Sequence, residues 1–213
     1  LYAAGSEPDA AVYEALRRLD RDHIPEVLAT GRWNDRAYDV SEEIVGGCLA
    51  GNGNGLADDP TRLRSMVEQL GRALCAFAER GLRHRDLNPE NILVRAEQPL
   101  DLVVTGFGSA RLSDFDLEAV TPLAISRYSS PETIACLNSP ASDWWSLGVV
   151  LYAMAFGALP FQAEPATPQR MHRVVTTTPL AFPAAPQRSP ALRALLRDIL
   201  RADPAERPSL EAV

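Results

Sequence analysis

HRDLNPENILV, His84 to Val94, is the densest run of polar chemistry in the chain away from its termini. Histidine, arginine, aspartate, glutamate and two asparagines fall between His84 and Asn91, and the pattern then turns apolar at Ile92, Leu93 and Val94. That switch predicts a polar loop feeding a short strand, a place where side chains converge on a cleft. Upstream, Asp59 supplies an N-cap signal and Pro60 a first-turn signal. Leu63, Met66, Val67, Leu70, Leu74 and Phe77 follow at helical spacing, and Gly81 ends the helix. Downstream, Leu102–Val104 is the natural partner for Ile92–Val94 in a small hairpin.

Further out, the elements remain readable. Residues 8 to 19 form a helical pattern with Ala11, Ala15, Leu16 and Leu19 as its inward stripe, closed by Pro25. Two strand candidates, Val27–Trp33 and Ala37–Ile44, flank an Asn34–Asp35 turn signal. Residues 46 to 55, GGCLAGNGNG, read as a flexible break rather than a phosphate loop, because no strand-to-helix turn follows. From Trp144 to Phe156 the apolar character is nearly all-round, which marks a buried helix. Pro165 to Pro190 is proline-rich loop with a short helix near Arg170. A last helix carries Leu192, Leu195, Leu196, Ile199 and Leu200 and stops before Asp203–Pro204. The fold class expected is α+β: a small β-containing start and a large helical remainder.

Composition narrows the function. The chain has 213 residues and a formal net charge of −7, and its 21 cationic side chains are all arginine. An acidic chain without basic clusters is a poor partner for nucleic acid, and no apolar run is long enough to insert in a membrane. Without lysine there is no phosphate-clamping or Schiff-base amine. Cys48, Cys75 and Cys136 lie far apart without metal-ligand spacing, which points to a reducing, cytoplasmic compartment. The abundance of Arg, Ala and Pro is bacterial in character.

His84–Val94 closely resembles the catalytic loop of the protein kinase family, H-R-D-L-x-P-x-N running into an apolar strand. Further matches follow in order. Gly106–Phe107–Gly108 stands where the family has D-F-G, and Ser130–Pro131–Glu132 where it has A-P-E. Asp143 to Phe161 is similar to the buried central helix of the large lobe, and Asp203–Pro204 with Arg207–Pro208 to a motif near the domain's end. The resemblance implies a kinase-like fold, with 1–45 as a remnant of the small lobe (its helix and its fourth and fifth strands) and 46–213 as a complete large lobe. Leu1–Tyr2 then resemble residues just after the third strand, so the glycine-rich loop and its lysine are not in this chain.

The resemblance also assigns roles. Asp86 matches the catalytic aspartate and Asn91 the metal-binding asparagine. Ser41 would be a small gatekeeper, and Glu42, Ile44, Leu93, Asn91 and Gly106 would line a nucleotide site with it. The phosphate machinery departs from the pattern. Gly106 replaces the aspartate that chelates magnesium and has no side-chain oxygen. Asn88 replaces a lysine that steadies the transferred phosphate, and Ile125 a threonine that bridges that lysine and the aspartate. Val12 stands where the family has the glutamate that pairs with the missing lysine; Glu14 is two residues off, about 200° around a helix. The parts that build the fold are kept: Leu16, His84 and Phe107 match a hydrophobic spine, completed by Val27 or Leu28. Glu132 and Arg207 match a buried ion pair, and Asp143 an aspartate that accepts hydrogen bonds from the catalytic loop. Arg85 would pair with an acid of the following segment, Asp114, Asp116 or Glu118.

The expected function is therefore a pseudokinase: a non-catalytic binding or regulatory module with a protein partner, no required cofactor, ATP as an optional ligand and magnesium disfavoured. The alternatives are a weakly active serine/threonine kinase using Asp86 and Asn91, and an ATP sensor that works without metal.

Overall fold

In the computed structural model the residues described are 2, 7–51, 59–115, 117–120, 125–161, 167–184 and 188–208. Two compact units emerge, one from residues 1–52 and 65–114, the other from 53–64 and 115–213. Among the described residues no helix is long and apolar enough to cross a membrane.

The first unit begins with helix α1, Ala10–Leu16. Its inward face is Val12 and Leu16, extended by Leu19 in the turn that follows, all below 9% exposure. This corrects the expected stripe: Ala11 is exposed. The spacing 12, 16, 19 lies along one helical face, and the branched Val12 has more apolar surface to bury than Ala11. Strands β1 (Val27–Trp33) and β2 (Arg36–Ser41) pair antiparallel, with Trp33 opposite Arg36. Asn34 and Asp35 both have positive φ, 48° and 58°, the backbone a tight hairpin turn needs. β2 stops at Ser41 instead of reaching Ile44. The last cross-strand bond beyond it runs from Glu42 N to Glu26 O at 2.9 Å.

Helix α2 (Pro60–Ala78) starts where expected, with Asp59 Oδ1 accepting from Thr61 N at 2.8 Å. Leu63, Met66, Leu70, Leu74 and Phe77 are buried, while Val67 is half-buried at the edge of the stripe. Gly81 closes the turn at φ 66°. After the two-residue strand β3 (Leu82–Arg83) come β4 (Ile92–Glu97) and β5 (Leu100–Val104), an antiparallel hairpin with Leu93 opposite Val103. Gln69 ties this hairpin to α2: its Nε2 donates to Leu100 O at 2.7 Å and its Oε1 accepts from Leu102 N at 2.8 Å. β3 pairs with β6 (Arg111–Leu112).

The start of the glycine-rich break is packed rather than flexible. Val94 N donates to Gly47 O at 2.9 Å, Cys48 bridges to Leu93, and Leu49 is fully buried. A Cβ on Gly46 would collide with the Val94 carbonyl, so only glycine lets this backbone lie so close to β4. Residues 52–58 lie outside the described residues.

In the second unit, β7 (Glu118–Ala119) pairs with β8 (Leu137–Asn138) across the short helix α3 (Pro131–Ile134). Helix α4 (Pro140–Phe156) is buried from Ser142 through Tyr152, which explains its all-round apolar sequence. Ser139 and Ser142 close a reciprocal capping box at its start. Helix α5 (Pro168–Thr177) is a full ten residues, longer than the short helix expected near Arg170. Thr167 caps it, and Met171 and Val175 bury its inner face. Helix α6 (Pro190–Ile199) packs Leu192, Leu196 and Ile199 inward. The core of the unit gathers Ile134, Trp145, Val149, Phe161, Met171, Val175 and Leu200. Gly148 makes room for α6, since a Cβ there would stand 2.9 Å from Ile199 and 3.0 Å from Leu200.

Candidate functional site

The candidate site is built where β3 passes into the loop 84–91 and β5 into Thr105–Gly106–Phe107. His84 is wholly buried. Its Nδ1 accepts the Asp86 backbone N–H at 3.2 Å, which leaves Nε2 to carry the proton and donate to Thr105 O at 2.8 Å. The ring stacks at a tilt against Phe107, centroids 4.9 Å apart, and Phe107 meets Phe77 edge-on at 5.6 Å. His84 thus joins the loop to the β5 exit and acts as a core residue with both nitrogens used. Leu16 is also buried. Of the two candidates to complete the spine, Leu28 is 58% exposed while Val27 is half-buried, so Leu28 is excluded.

Arg85 takes a left-handed conformation, φ 69°, which swings the chain so that Asp86 faces the two asparagines. Asn88 Nδ2 donates to Asp86 Oδ1 at 3.1 Å and to its carbonyl at 3.0 Å. Asn91 Nδ2 donates to Asp86 Oδ2 at 3.2 Å and to the same carbonyl at 2.8 Å. Each carboxylate oxygen therefore has its own amide donor. Asn88 also caps the 3-10 turn Pro89–Asn91, accepting from Glu90 N at 2.9 Å. Thr105 N donates to Asn91 O at 2.9 Å, which lays Gly106 against the Asn91 side chain.

Gly106 is the sharpest feature. Its φ is 82°, and a Cβ placed on it would come within 2.7 Å of Asn91 Nδ2 and closer still to Cγ and Oδ1. The magnesium ion implied by the kinase resemblance needs several oxygen donors in near-octahedral array. Here position 106 has no side-chain oxygen to offer, and among the described residues no group of three or more His, Cys, Asp or Glu could hold a metal ion. The residues present do not fit that ion.

The residues assigned to a nucleotide are arranged unevenly. Asn91 and Gly106 touch, and Leu93 lies beside Cys48 at the end of the segment that follows Ile44. Ser41 is exposed at the end of β2 and Ile44 half-buried beyond it. The Glu42 carboxylate points elsewhere: Oε1 accepts from Arg95 at 2.8 Å and from Glu26 N at 3.2 Å. The Arg95 hydrogen bond holds its carboxyl below the usual range despite some burial. Arg95 also pairs with Asp101 at 3.4 Å, so Glu42 belongs to a network that fastens the loop after α1 to the β4–β5 hairpin. Charge order alone does not reveal that network, because the pair that closes it, Glu42 and Arg95, is 53 positions apart.

In the second unit, Glu132 and Arg207 form a bidentate pair at 2.7 and 2.9 Å, both nearly sealed from water. Arg207 also donates to Ala141 O and sits over Trp145, 5.0 Å from its centroid. Ser142 adds a hydrogen bond to Glu132 at 2.8 Å. Burial works to raise the Glu132 carboxyl, but the Arg207 hydrogen bonds and charge outweigh it and hold it below its ordinary value. Asp143 is buried in the first turn of α4. Of the acids expected near Arg85, Asp114 lies beside Gly81, Glu118 belongs to β7, and Asp116 lies outside the described residues.

Comparison with known proteins agrees with this architecture. The chain is 31% identical over 213 residues to CBL-interacting serine/threonine-protein kinase 5 of Arabidopsis thaliana, covering 96% of this chain and 45% of that one. It is 32% identical over 205 residues to serine/threonine-protein kinase ULK3 of Mus musculus, covering 93% and 42%. It is 33% identical over 197 residues to serine/threonine-protein kinase ATG1a of Arabidopsis thaliana, covering 90% and 31%. The chain spans less than half the length of these relatives. The protein kinase domain profile matches residues 13–213. With the helical core, the β4–β5 hairpin and the His84–Asn91 loop in place, the chain belongs to the protein kinase family.

Proposed function

We propose that this kinase-fold domain is a pseudokinase that acts by binding a protein partner, as a scaffold or regulator, in the cytoplasm. Residues 1–45 serve as what remains of the small lobe and 46–213 as the large one. The observation that carries the reading is Gly106 seated against Asn91. Phosphoryl transfer is mostly positioning and charge neutralisation by metal, lysine and aspartate. In this chain the metal-chelating aspartate is a glycine, and the position of the phosphate-steadying lysine is occupied by Asn88, whose amide is turned onto Asp86. The loop that remains is satisfied internally, and the fold around it is retained.

A second reading is kept by one feature. Asp86 and Asn91 are both present and adjacent, and Ser41 leaves the adenine side of the cleft sterically open, which favours ATP binding without metal. Thermal unfolding of the chain with ATP, with and without magnesium or manganese, separates the readings. A ligand at about 100 times its Kd adds about 2.7 kcal/mol, roughly 5–10 °C for a domain of this size. No shift is the expected result. A shift with ATP alone favours the sensor, and a shift that requires the metal overturns the pseudokinase reading.

A further inference from the structure

We propose that the aromatic and arginine cluster of the second unit, Tyr152, Phe156 and Phe182 beneath Arg193 and Arg197, is a docking surface for an acidic peptide segment of a protein partner. This rests on the partner-binding reading above and deepens it, giving the partner a chemistry and a place to bind.

The charge distribution points there first. Residues 165–197 contain five arginines and no aspartate or glutamate, in a chain whose formal net charge is −7. Their order hides any cluster, because they are spread over α5, α6 and the segment between. Arg188 is buried, its Nε donating to Ala155 O at 2.6 Å. Arg193 and Arg197 stand four positions apart on α6 and so share one helical face.

Both guanidinium groups lie on the same ring. Arg193 Cζ is 5.2 Å from the Phe182 centroid and 5.2 Å from that of Phe156, and Arg197 Cζ is 5.0 Å from Phe182. Beneath them the rings brace one another: Tyr152, Phe156 and Phe182 have centroids 4.8, 5.4 and 5.6 Å apart in pairs. Tyr152 OH donates to Ala181 O at 2.6 Å and ties the Phe182 segment to α4. The platform is thus fixed before anything binds. A guanidinium stacked by its flat face keeps its in-plane N–H groups available, and those are the ones that grip a carboxylate. Arg193 spends one on Pro183 O at 3.4 Å. Arg197 is exposed and makes no ion pair among the described residues; the neighbouring acid, Asp198, turns to Arg201 at 3.0 Å. Arginine forks above an apolar platform fit a carboxylate that is followed by an apolar side chain. A polyanion would use the charge and waste the rings, and the net acidity of the chain opposes it, whereas a short segment meets only the local field.

NMR titration of the whole chain with a synthetic peptide that alternates glutamate and leucine is the direct test, read at the arginine Nε–Hε signals. The signals of Arg193 and Arg197 are expected to shift, with binding that weakens as salt rises. The same peptide with glutamine for glutamate should bind at least about tenfold more weakly, and Arg197→Glu should do the same to the acidic peptide. Arg197 is exposed, so replacing it leaves the core intact. Arg197→Lys keeps the charge without the planar fork and should fall between. No shift at either arginine with millimolar peptide, equal binding of the glutamine peptide, or full binding by Arg197→Glu would each overturn the proposal. So would preferential binding of a single-stranded oligonucleotide or of phosphatidylserine vesicles through Arg197, or self-association in sedimentation that Arg197→Glu abolishes. The titration contains no nucleotide, so its failure is distinct from failure of the pseudokinase reading, which metal-dependent ATP stabilisation would signal.

Discussion

The Asp86 loop and the Glu132–Arg207 pair are both constellations of charge held by hydrogen bonds, yet they differ in one physical respect. Asp86, Asn88 and Asn91 are half-exposed, so water can take over a donor that is lost. Glu132 and Arg207 have side chains 4% and 0% exposed, and nothing replaces a partner there. A half-exposed polar site can lose a ligand or exchange a cation for an amide at small cost to the fold. A buried ion pair is bound to its partner, because removing one member strands a charge in low dielectric. Two altered positions, Asn88 and Gly106, lie on the half-exposed side of this divide, and the retained Glu132 and Arg207 on the buried side.

Breaking the buried pair should have the largest effect. Arg207→Ala leaves Glu132 unpaired and is expected to cost about 3–5 kcal/mol, a fall in Tm of roughly 10 °C or more by calorimetry. The double change E132Q with R207M should recover part of that loss, since it leaves no stranded charge. Next comes Phe107→Ala, which opens a void beside His84 and Phe77 and is expected to cost about 3–5 kcal/mol at most, less if the loop collapses. Chemical denaturation would measure it. A much smaller loss would show that the Asp86 loop has no firm apolar support.

The half-exposed site should respond weakly. Asn88→Ala removes a donor to Asp86 and the cap on Glu90, and is expected to cost about 1 kcal/mol. A cost equal to that of Arg207→Ala would erase the contrast between the regions. The pH dependence sharpens it from another side. The Glu132 pKa is lowered in the folded state, so its stabilising contribution is complete above the unfolded carboxyl value of about 4.3. It is lost as pH falls through the lowered folded value. Melting curves between pH 7 and pH 3 should therefore keep the native chain above the E132Q with R207M variant at neutral pH, with the gap narrowing only at the acid end.

Parts of the molecule differed in how openly they could be read. The start of α2 was legible because Asp59 and Pro60 act on their own backbone neighbours. The β4–β5 hairpin was legible because its apolar alternation is local, whereas its attachment to α2 through Gln69 was not. The Val12 face of α1 was misread as Ala11, since a seven-residue helix carries too few turns to set its phase. The packed course of Gly46–Leu49 could not be inferred from glycine-rich composition, which reads the same whether glycine provides freedom or close approach. At the site, Asp86, Asn88, Asn91 and Gly106 could be picked out by position in a motif, but not what their amides face.

The sequence by itself determined the kinase-like α+β order, the buried character of α4 and the absence of a carboxylate at 106, because each depends on residue identity and short-range spacing. Only the tertiary structure decided that Asn91 lies in the space beside Gly106, that Glu42 turns to Arg95, and that Leu28 stays outside the core. Those outcomes depend on which segments meet in space, and hydrogen-bond direction and close packing are settled only when they do.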